Sequence, residues 1–360
     1  MKVAPRKILI VARGGIGNVV MFTATLRAIK KRLPSVQLFM MVLSNGSQTI
    51  LALNPDVTEV IAYKDRIKQQ GGLWRFILAL RRHRFDTAIV MNPGGLRSAL
   101  WALISGAGTR IGFNIPLMRG LGRILYTKSL EPDEELHDVD QNLGLLPAIG
   151  LPLPGHGDLR IVLPEAATQA ASERLSLLGF DSDEQVIGIH PGSTYSQPWK
   201  RWPASYFRDL IHLMTKSSRS LVLLFGSEHE NEVSDTIIES VGRHTSIAKV
   251  IDADLLVASA MIGMCNVFVG NDSALVHVAA AKGVLTFCLG GPTDTQRTGP
   301  YGPNAHVIRS EFDCPCRYNV NRIRFRCRFN AFPKCMTELK PAHVFRAISS
   351  RGFGHPLSKP

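Results

Sequence analysis

The sequence predicts an α/β protein made of two Rossmann-like, doubly wound parallel-sheet domains facing across a cleft, and three observations carry that prediction. Short apolar runs alternate with helical patterns along both halves of the chain. Strands buried on both faces read as such runs, and helical crossovers make neighbouring strands parallel. Glycine-rich polar turns follow the apolar runs, which is where an open α/β sheet places its ligand crevice. A proline- and glycine-dense stretch, Gly150-Leu-Pro-Leu-Pro-Gly-His-Gly157, separates the two alternating sets and marks where one core stops. At 360 residues the chain exceeds one comfortable core and suggests two domains of about 150 to 200 residues each. We expect an amino-terminal domain over 1–164, a carboxyl-terminal domain over 165–345 and a tail over 346–360.

Lys7 to Ala12 reads as the first strand, Gly14-Gly-Ile-Gly17 as its turn, and Asn18 to Arg32 as a helix closed by Pro34. Further strands are expected at Val36 to Val42, Val57 to Ala62 and Asp86 to Met91, with helices over Gly72 to Arg82 and Leu96 to Ser105. After the boundary, a helix over Glu165 to Leu178 leads into strands at Val186 to His190, Ser220 to Phe225, Val267 to Val269 and Val284 to Leu289. Helices over Ala204 to Lys216, Glu228 to Val241 and Asp254 to Met264 separate them.

With 45% hydrophobic residues the composition is that of a soluble globular protein. No run approaches the roughly 18 to 20 apolar residues of a membrane span; the longest candidate, Leu255 to Val269, is broken by Ser259, Gly263 and Asn266. The apolar stretch Lys7 to Ala12 is short for a signal peptide, so a cytoplasmic protein is expected. The net charge of +13 calls for an anionic partner, whether nucleic acid, lipid surface or phosphorylated substrate. Basic residues cluster at Lys64 to Arg84 and at Arg317 to Arg328. Without a recognition helix, an RNP-like strand or aromatic-basic interleaving, nucleic acid is not the expected partner.

Cys265 and Cys288 fall in apolar core patterns, whereas Cys314, Cys316, Cys327 and Cys335 crowd together near the carboxyl terminus. In a reducing compartment such a cluster reads as a structural metal knuckle or as free thiols. Its spacing, C-x-C-x10-C-x7-C, is not the usual C-x2–4-C of a zinc knuckle.

The stretch Asn266 to Ala281 combines an apolar strand, the turn Gly270-Asn-Asp-Ser273 and an apolar helix from Leu275. Its helix start would aim unpaired N–H groups and the positive dipole end at an anion above the sheet. Asp272 or Ser273 can also simply cap that helix. A second polar turn, Gly290-Gly-Pro-Thr-Asp-Thr295, would emerge at the same edge. The dinucleotide fingerprint fails: Gly15-Ile-Gly17 is followed by Val20 at the third glycine position, and no acid ends the second strand. No Walker lysine follows a glycine loop. The three Asp-x-Asp pairs, Asp138/Asp140, Asp181/Asp183 and Asp252/Asp254, adjoin no glycine-rich turn and read as turn or cap residues rather than as metal ligands. What remains is metal-independent sugar transfer from a nucleotide donor, whose diphosphate leaving group is stabilised by helix N-termini and a few cations. His190-Pro-Gly-Ser-Thr194 and Lys200-Arg-Trp-Pro203 supply such groups; Lys200 can reach a phosphate or be an ordinary surface lysine.

Taken in order, His190-Pro-Gly-Ser193, Lys200-Arg-Trp-Pro203, Phe225-Gly-Ser-Glu-His-Glu230, Gly270-Asn-Asp-Ser-Ala-Leu-Val-His277 and Gly291-Pro-Thr-Asp294 resemble family 9 glycosyltransferases, the lipopolysaccharide heptosyltransferase family. The resemblance runs from Lys7 to about Phe345. It implies a GT-B fold, an ADP-sugar donor (ADP-heptose), inversion at the anomeric carbon without a required cofactor, and an anionic lipid-linked glycan acceptor, lipid A-Kdo or lipopolysaccharide core. It also implies peripheral contact with the inner face of the bacterial inner membrane, with acceptor binding by the first domain and donor binding by the second. Carried over, the phosphate-binding lysine is Lys200 and the sugar- and phosphate-holding turn is Asp272, Ser273, Ala274 and Leu275, with His277 one turn along. Nucleoside contacts fall near Gly226, Glu228 and Met261, and Gly15, Gly17, Ser193 and Thr194 complete the donor-binding set. The departure is at Gly17-Asn18, where the family reads Gly-Asp and the aspartate is thought to be the general base. Either a carboxylate from the Glu131 to Asp140 stretch replaces it, or Asn18 only orients the hydroxyl and a donor phosphate takes the proton. Two alternatives are a related transferase acting on a protein or other glycan, and a non-catalytic sugar-nucleotide-binding protein.

Overall fold

The computed structural model describes residues 5–114, 122–180, 184–194, 196–216, 219–242, 245–251, 253–312, 314, 327 and 332–353. Asp181, Asp183, Asp252, Cys316 and positions 317–326 and 328 of the second basic cluster lie outside the described residues. The chain divides into two compact units, Met1–Val162 and Leu163–Pro360.

The first unit runs β1 (Lys7–Val11), α1 (Ile16–Arg32), β2 (Gln37–Val42), α2 (Asn45–Leu51), β3 (Glu59–Ala62), α3 (Tyr63–Gln69), α4 (Leu73–Arg82), β4 (Thr87–Val90), α5 (Leu96–Ile104), β5 (Thr109–Phe113), α6 (Gly122–Leu125), β6 (Lys128–Leu130) and α7 (Asp138–Leu143). Its parallel sheet has the order β3-β2-β1-β4-β5-β6. Ile8, Leu9 and Ile10 are fully buried, because a central parallel strand has helices over both faces. On one face Leu9, Val11, Phe39, Met41 and Val90 pack against Phe76 and Leu80 of α4 and Ala99 and Ala102 of α5.

The second unit runs α8 (Glu165–Leu177), β7 (Gln185–His190), α9 (Ala204–Thr215), β8 (Ser220–Phe225), α10 (Asn231–Val241), β9 (Ser246–Val250), α11 (Leu255–Gly263), β10 (Val267–Asn271), α12 (Ala274–Ala281), β11 (Leu285–Gly290), α13 (Thr295–Thr298), β12 (Ala305–Arg309), α14 (Lys334–Thr337) and α15 (Pro341–Ser349). Its sheet order, β12-β11-β10-β7-β8-β9, is that of the first unit read from the opposite edge.

Three expectations change. The strand predicted over Val267 to Val269 continues through Gly270 and Asn271, which stay in register with Cys288 and Leu289. The helix predicted from Glu228 begins as a separate 3-10 turn, Glu228–Glu230, because Ser227 and Glu230 close a capping box there and the chain re-enters a helix at Asn231. The tail expected from 346 is still part of α15, whose Ile348 joins the core. Trp202 anchors that end by donating its indole N–H to the Leu339 carbonyl at 2.8 Å. No helix among the described residues is long and apolar enough to cross a membrane.

Candidate functional site

The second unit's site is assembled by Asn271, the last residue of β10. Its side-chain amide donates to the carbonyls of Pro191 (2.8 Å) and Gly192 (3.0 Å) and accepts the Trp202 N–H at 2.9 Å. Among neutral side chains an amide offers two donors and an acceptor at one point, so this residue pins the loop after β7 and the entry to α9 against β10. The sheet order reverses between these strands, and the crevice opens at this carboxyl edge.

A cavity of ≈ 330 Å³ lies there, lined by His190, Ser193, Thr194 and Arg201 after β7, Gly226, Ser227, His229 and Glu230 after β8, Leu255 of α11, and Ser273, Ala274 and Leu275 at the start of α12. A second cavity of ≈ 360 Å³ shares Gly226, Ser227, His229, Leu255 and Leu275 with it and is walled by Phe225, Glu228, Val250, Ile251, Ala253 and Ala258. The two form one trough with a polar end at α12 and a largely apolar end carrying Glu228.

The polar end is built from an open helix terminus. Ser273 is the N-cap of α12, yet its side chain makes no capping bond; its hydroxyl lies 2.7 Å from His190 Nδ1 instead. The first N–H groups of the helix therefore face the trough without a side-chain cap, the arrangement that binds an anion. His190 Nε2 lies 3.5 Å from the Glu230 carboxylate, whose other oxygen accepts both the Ser227 N–H (2.9 Å) and its hydroxyl (2.8 Å). Burial pushes the Glu230 carboxyl up, but the His190 hydrogen bond and charge, with the Ser227 bonds, outweigh it and hold it down at about 2. Only glycine fits at 192, since a Cβ there would come 1.8 Å from Glu230 Oε1.

This Ser273–His190–Glu230 chain has a chemical consequence. With Nε2–H facing Glu230, a neutral His190 uses Nδ1 as acceptor, and the Ser273 hydroxyl donates its hydrogen bond to it. A protonated His190 donates from Nδ1, so the Ser273 hydroxyl is free to donate to a ligand oxygen.

Beside the trough, Asp272 is buried and its Oδ2 accepts from Lys200 Nζ (2.8 Å) and the Thr293 hydroxyl (2.7 Å). Burial pushes the Asp272 carboxyl up, but the Lys200 charge and hydrogen bond, then Thr293 and His277, outweigh it and keep it below the usual carboxylate range. This corrects the reading of Asp272 as a helix cap: the cap position is Ser273, and Asp272 is spent on a buried ion pair. It also makes Lys200 a largely buried ion-pair partner rather than a surface lysine.

Of the other expected donor residues, Ser193, Thr194, Gly226, Ala274 and Leu275 line the trough and Glu228 stands at its apolar end. Met261 is fully buried on α11; the wall from that helix is Leu255 and Ala258, from its first turn. His277 is buried and acts on Asp272 through its charge. Gly15, Gly17 and Asn18 belong to the other unit: Gly15 is the N-cap of α1, Gly17 is buried, and the half-buried Asn18 packs where a Cβ on Gly14 would come within 2.9 Å. In the Glu131 to Asp140 stretch, Asp138 is buried and accepts from Asn92 Nδ2 at 2.8 Å, while Glu131 accepts from Asn114 Nδ2 at 2.6 Å.

The metal expectation finds no support among the described residues, where no group of three or more His, Cys, Asp or Glu is placed to hold an ion. Cys314 and Cys335 are buried and Cys327 half-buried. Burial, with the neighbouring Cys314 and Cys327 thiols, pushes Cys335 up to about 12. Asn271, Thr293 and Glu230 were missed from sequence. Ser227-Glu-His-Glu230 is a readable capping-box signature, and it points to Glu230 rather than Glu228.

Residues 73–324 match the family described as glycosyltransferase family 9 (heptosyltransferase). The chain is 27% identical over 314 residues to lipopolysaccharide heptosyltransferase 2 of Salmonella typhimurium, covering 84% of this chain and 88% of that protein. The solved structure of Escherichia coli ADP-heptose lipopolysaccharide heptosyltransferase II superposes with a TM-score of 0.73 at 23% identity, over 96% of this chain and 98% of that one. A family 9 glycosyl transferase from Veillonella parvula superposes with a TM-score of 0.79 at 21% identity, over 97% and 98%. The matched span, the paired doubly wound GT-B sheets and the ordered loop motifs agree, and the chain belongs to glycosyltransferase family 9.

Proposed function

We propose that the protein moves a heptose from ADP-heptose to the core of a lipopolysaccharide acceptor, with inversion and without a metal, at the inner face of the bacterial inner membrane. The observation that carries this reading is the trough at the β7, β8 and β10 edge, apolar at one end and an uncapped helix start at the other. The apolar end suits the adenine, with Glu228 placed for ribose hydroxyls. The N–H groups of Ser273 to Leu275 suit the diphosphate, where charge develops as the sugar leaves. Lys200 has three donors and spends one on Asp272, so it can add a phosphate contact while Asp272 receives sugar hydroxyls. In this reading the second unit binds the donor and the first unit the acceptor.

Inversion requires the acceptor oxygen to attack C1 from the face opposite the departing diphosphate. The leaving phosphate therefore cannot take the acceptor proton directly. Asn18, an amide, orients the hydroxyl without accepting its proton, which passes to water. Incubation with ADP-heptose and a Kdo-lipid acceptor tests the proposal: a heptosylated lipid and ADP are expected, and neither transfer nor donor hydrolysis would overturn it. A screen of ADP-, GDP- and UDP-sugars checks the nucleotide. Asn18 also favours a second reading, a sugar-nucleotide-binding protein with little turnover; calorimetric ADP binding without product would select it.

A further inference from the structure

We infer that the outer face of α4 docks the first unit onto an anionic lipid surface, an inference that rests on the lipid-borne acceptor proposed above. The helix buries Phe76 and Leu80 against the sheet, yet its opposite side carries Trp74, 71% exposed, and Leu78 at 43%, and Leu73 at the helix start is 52% exposed. Trp74 and Leu78 lie one helical turn apart and share a side. The contrast with Trp101 is direct: that ring packs on Phe76 at 5.5 Å and Tyr63 at 5.7 Å, so the aromatic core under α4 is complete without Trp74.

Around this apolar ridge the charge has one sign. Helices α3 and α4 carry Lys64, Lys68, Arg75 and Arg82 against one acid, Asp65, and Arg66 is already paired with Glu59 at 2.8 Å. An exposed tryptophan among aliphatic side chains, ringed by lysine and arginine, matches a headgroup interface: the ring and leucines enter the acyl boundary and the cations meet anionic headgroups. A second copy of this chain fits poorly, because a self-complementary contact would set arginines against arginines.

Topology gives the docking a purpose. Helix α4 ends at Arg82, just before β4 begins at Thr87, so it runs antiparallel to the strands and its first turn lies toward the carboxyl edge of the sheet. That edge also bears the β1 turn with Gly15, Gly17 and Asn18. A bilayer engaged by Leu73 and Trp74 would present a lipid-borne glycan to the edge that carries Asn18.

The test is co-sedimentation of the full chain with phosphatidylcholine vesicles and with the same vesicles doped with phosphatidylglycerol. Binding is expected to the doped vesicles only and to weaken with salt. It should fall about tenfold or more both in Trp74→Ser/Leu78→Ser and in Arg75→Glu/Arg82→Glu. All variants should keep the wild-type melting temperature and calorimetric ADP affinity, which separates this surface from the donor site; failure of the wild type to bind ADP would count against the proposed function instead. Wild-type indifference to both vesicles, equal binding to both, or full binding by the two double variants would overturn the inference. Self-association abolished by Trp74→Ser/Leu78→Ser would overturn it in favour of a second copy.

Discussion

The two units share one strand order and place an asparagine at the same topological point, but they use it differently. Asn92 follows β4, the strand beside β1; Asn271 ends β10, the strand beside β7. Asn92 donates to Asp138 at 2.8 Å, and its backbone N–H donates to Asn142 Oδ1 at 2.8 Å, so it ties the strand end to α7. Asn271 ties its strand to the neighbouring loops instead, and the next residue, Asp272, turns a buried charge toward Lys200. The helices that follow these strands, α5 and α12, both start without a side-chain cap, at Gly95 and Ser273. The fold thus prepares two uncapped helix starts, and side chains decide which suits the diphosphate of the proposed function. The amino-terminal unit has the same scaffold, with the amide of Asn18 at the start of α1.

The sharpest break of that comparison puts a carboxylate at position 18. Asn18→Asp should raise kcat by about a hundred- to ten-thousandfold if transfer limits turnover, measured as heptosylated product over time. An unchanged rate would mean that a base already reaches the acceptor hydroxyl, and Asp140→Asn would then be the variant that loses activity.

In the carboxyl-terminal unit the corresponding effect is a loss. Lys200→Met removes a cation beside the diphosphate and should lower kcat by about a hundred- to a thousandfold. It also strands a buried Asp272 carboxylate, a destabilisation of about 3–5 kcal/mol. Adding Asp272→Asn should recover much of the melting temperature and none of the activity. Recovery of both would make the pair structural.

How much of this was legible follows from what hydropathy reports. Buried strands such as Lys7–Val11 and Ser220–Phe225 are continuous apolar runs, so four strands of each sheet could be read, while β5, β9 and β12 could not. β6, Lys128-Ser-Leu130, is a short strand with polar residues and left no pattern. β10 appeared to stop at Val269 because Gly270 and Asn271 look like a turn. They stay in the ladder because Gly270 leaves room for His190, whose Cβ would sit 3.1 Å from an added Cβ, and because the Asn271 amide is satisfied by three backbone groups. Met261 was carried over by resemblance, whereas the wall depends on which turn of α11 meets the trough. Trp74 fitted a helix pattern that says nothing about which side meets water.

A smaller effect is expected at Glu230. Its folded value, about 2, lies below the ordinary 4.5. Its contribution to stability is therefore fully present above about pH 4.5 and lost as pH falls through about 2. Glu230→Gln should flatten the melting temperature across that window. At neutral pH it should also weaken ADP binding by about ten- to a hundredfold, as expected for one charge-assisted hydrogen bond of about 1.5–3 kcal/mol, because His190, which holds the Ser273 hydroxyl, loses its carboxylate partner. A variant that keeps the acid-limb slope would place the titration elsewhere.

The smallest test sets the two uncapped helix starts side by side. Ser273→Ala removes a hydroxyl bonded to His190 rather than to the helix. ADP affinity should therefore fall by about two- to tenfold, the 0.5–1.5 kcal/mol of one ordinary hydrogen bond. The melting temperature should fall by less than a lost cap, which is worth about 0.5–2 kcal/mol. Gly95→Ala at the matching point of the first unit meets only the Arg13 guanidinium, at 2.6 Å from the new Cβ. That flexible group can swing away, so ADP affinity should stay at the wild-type value. If Ser273→Ala instead melts like a lost cap with ADP affinity intact, the hydroxyl serves the helix and not the diphosphate, and the two edges differ less than their side chains suggest.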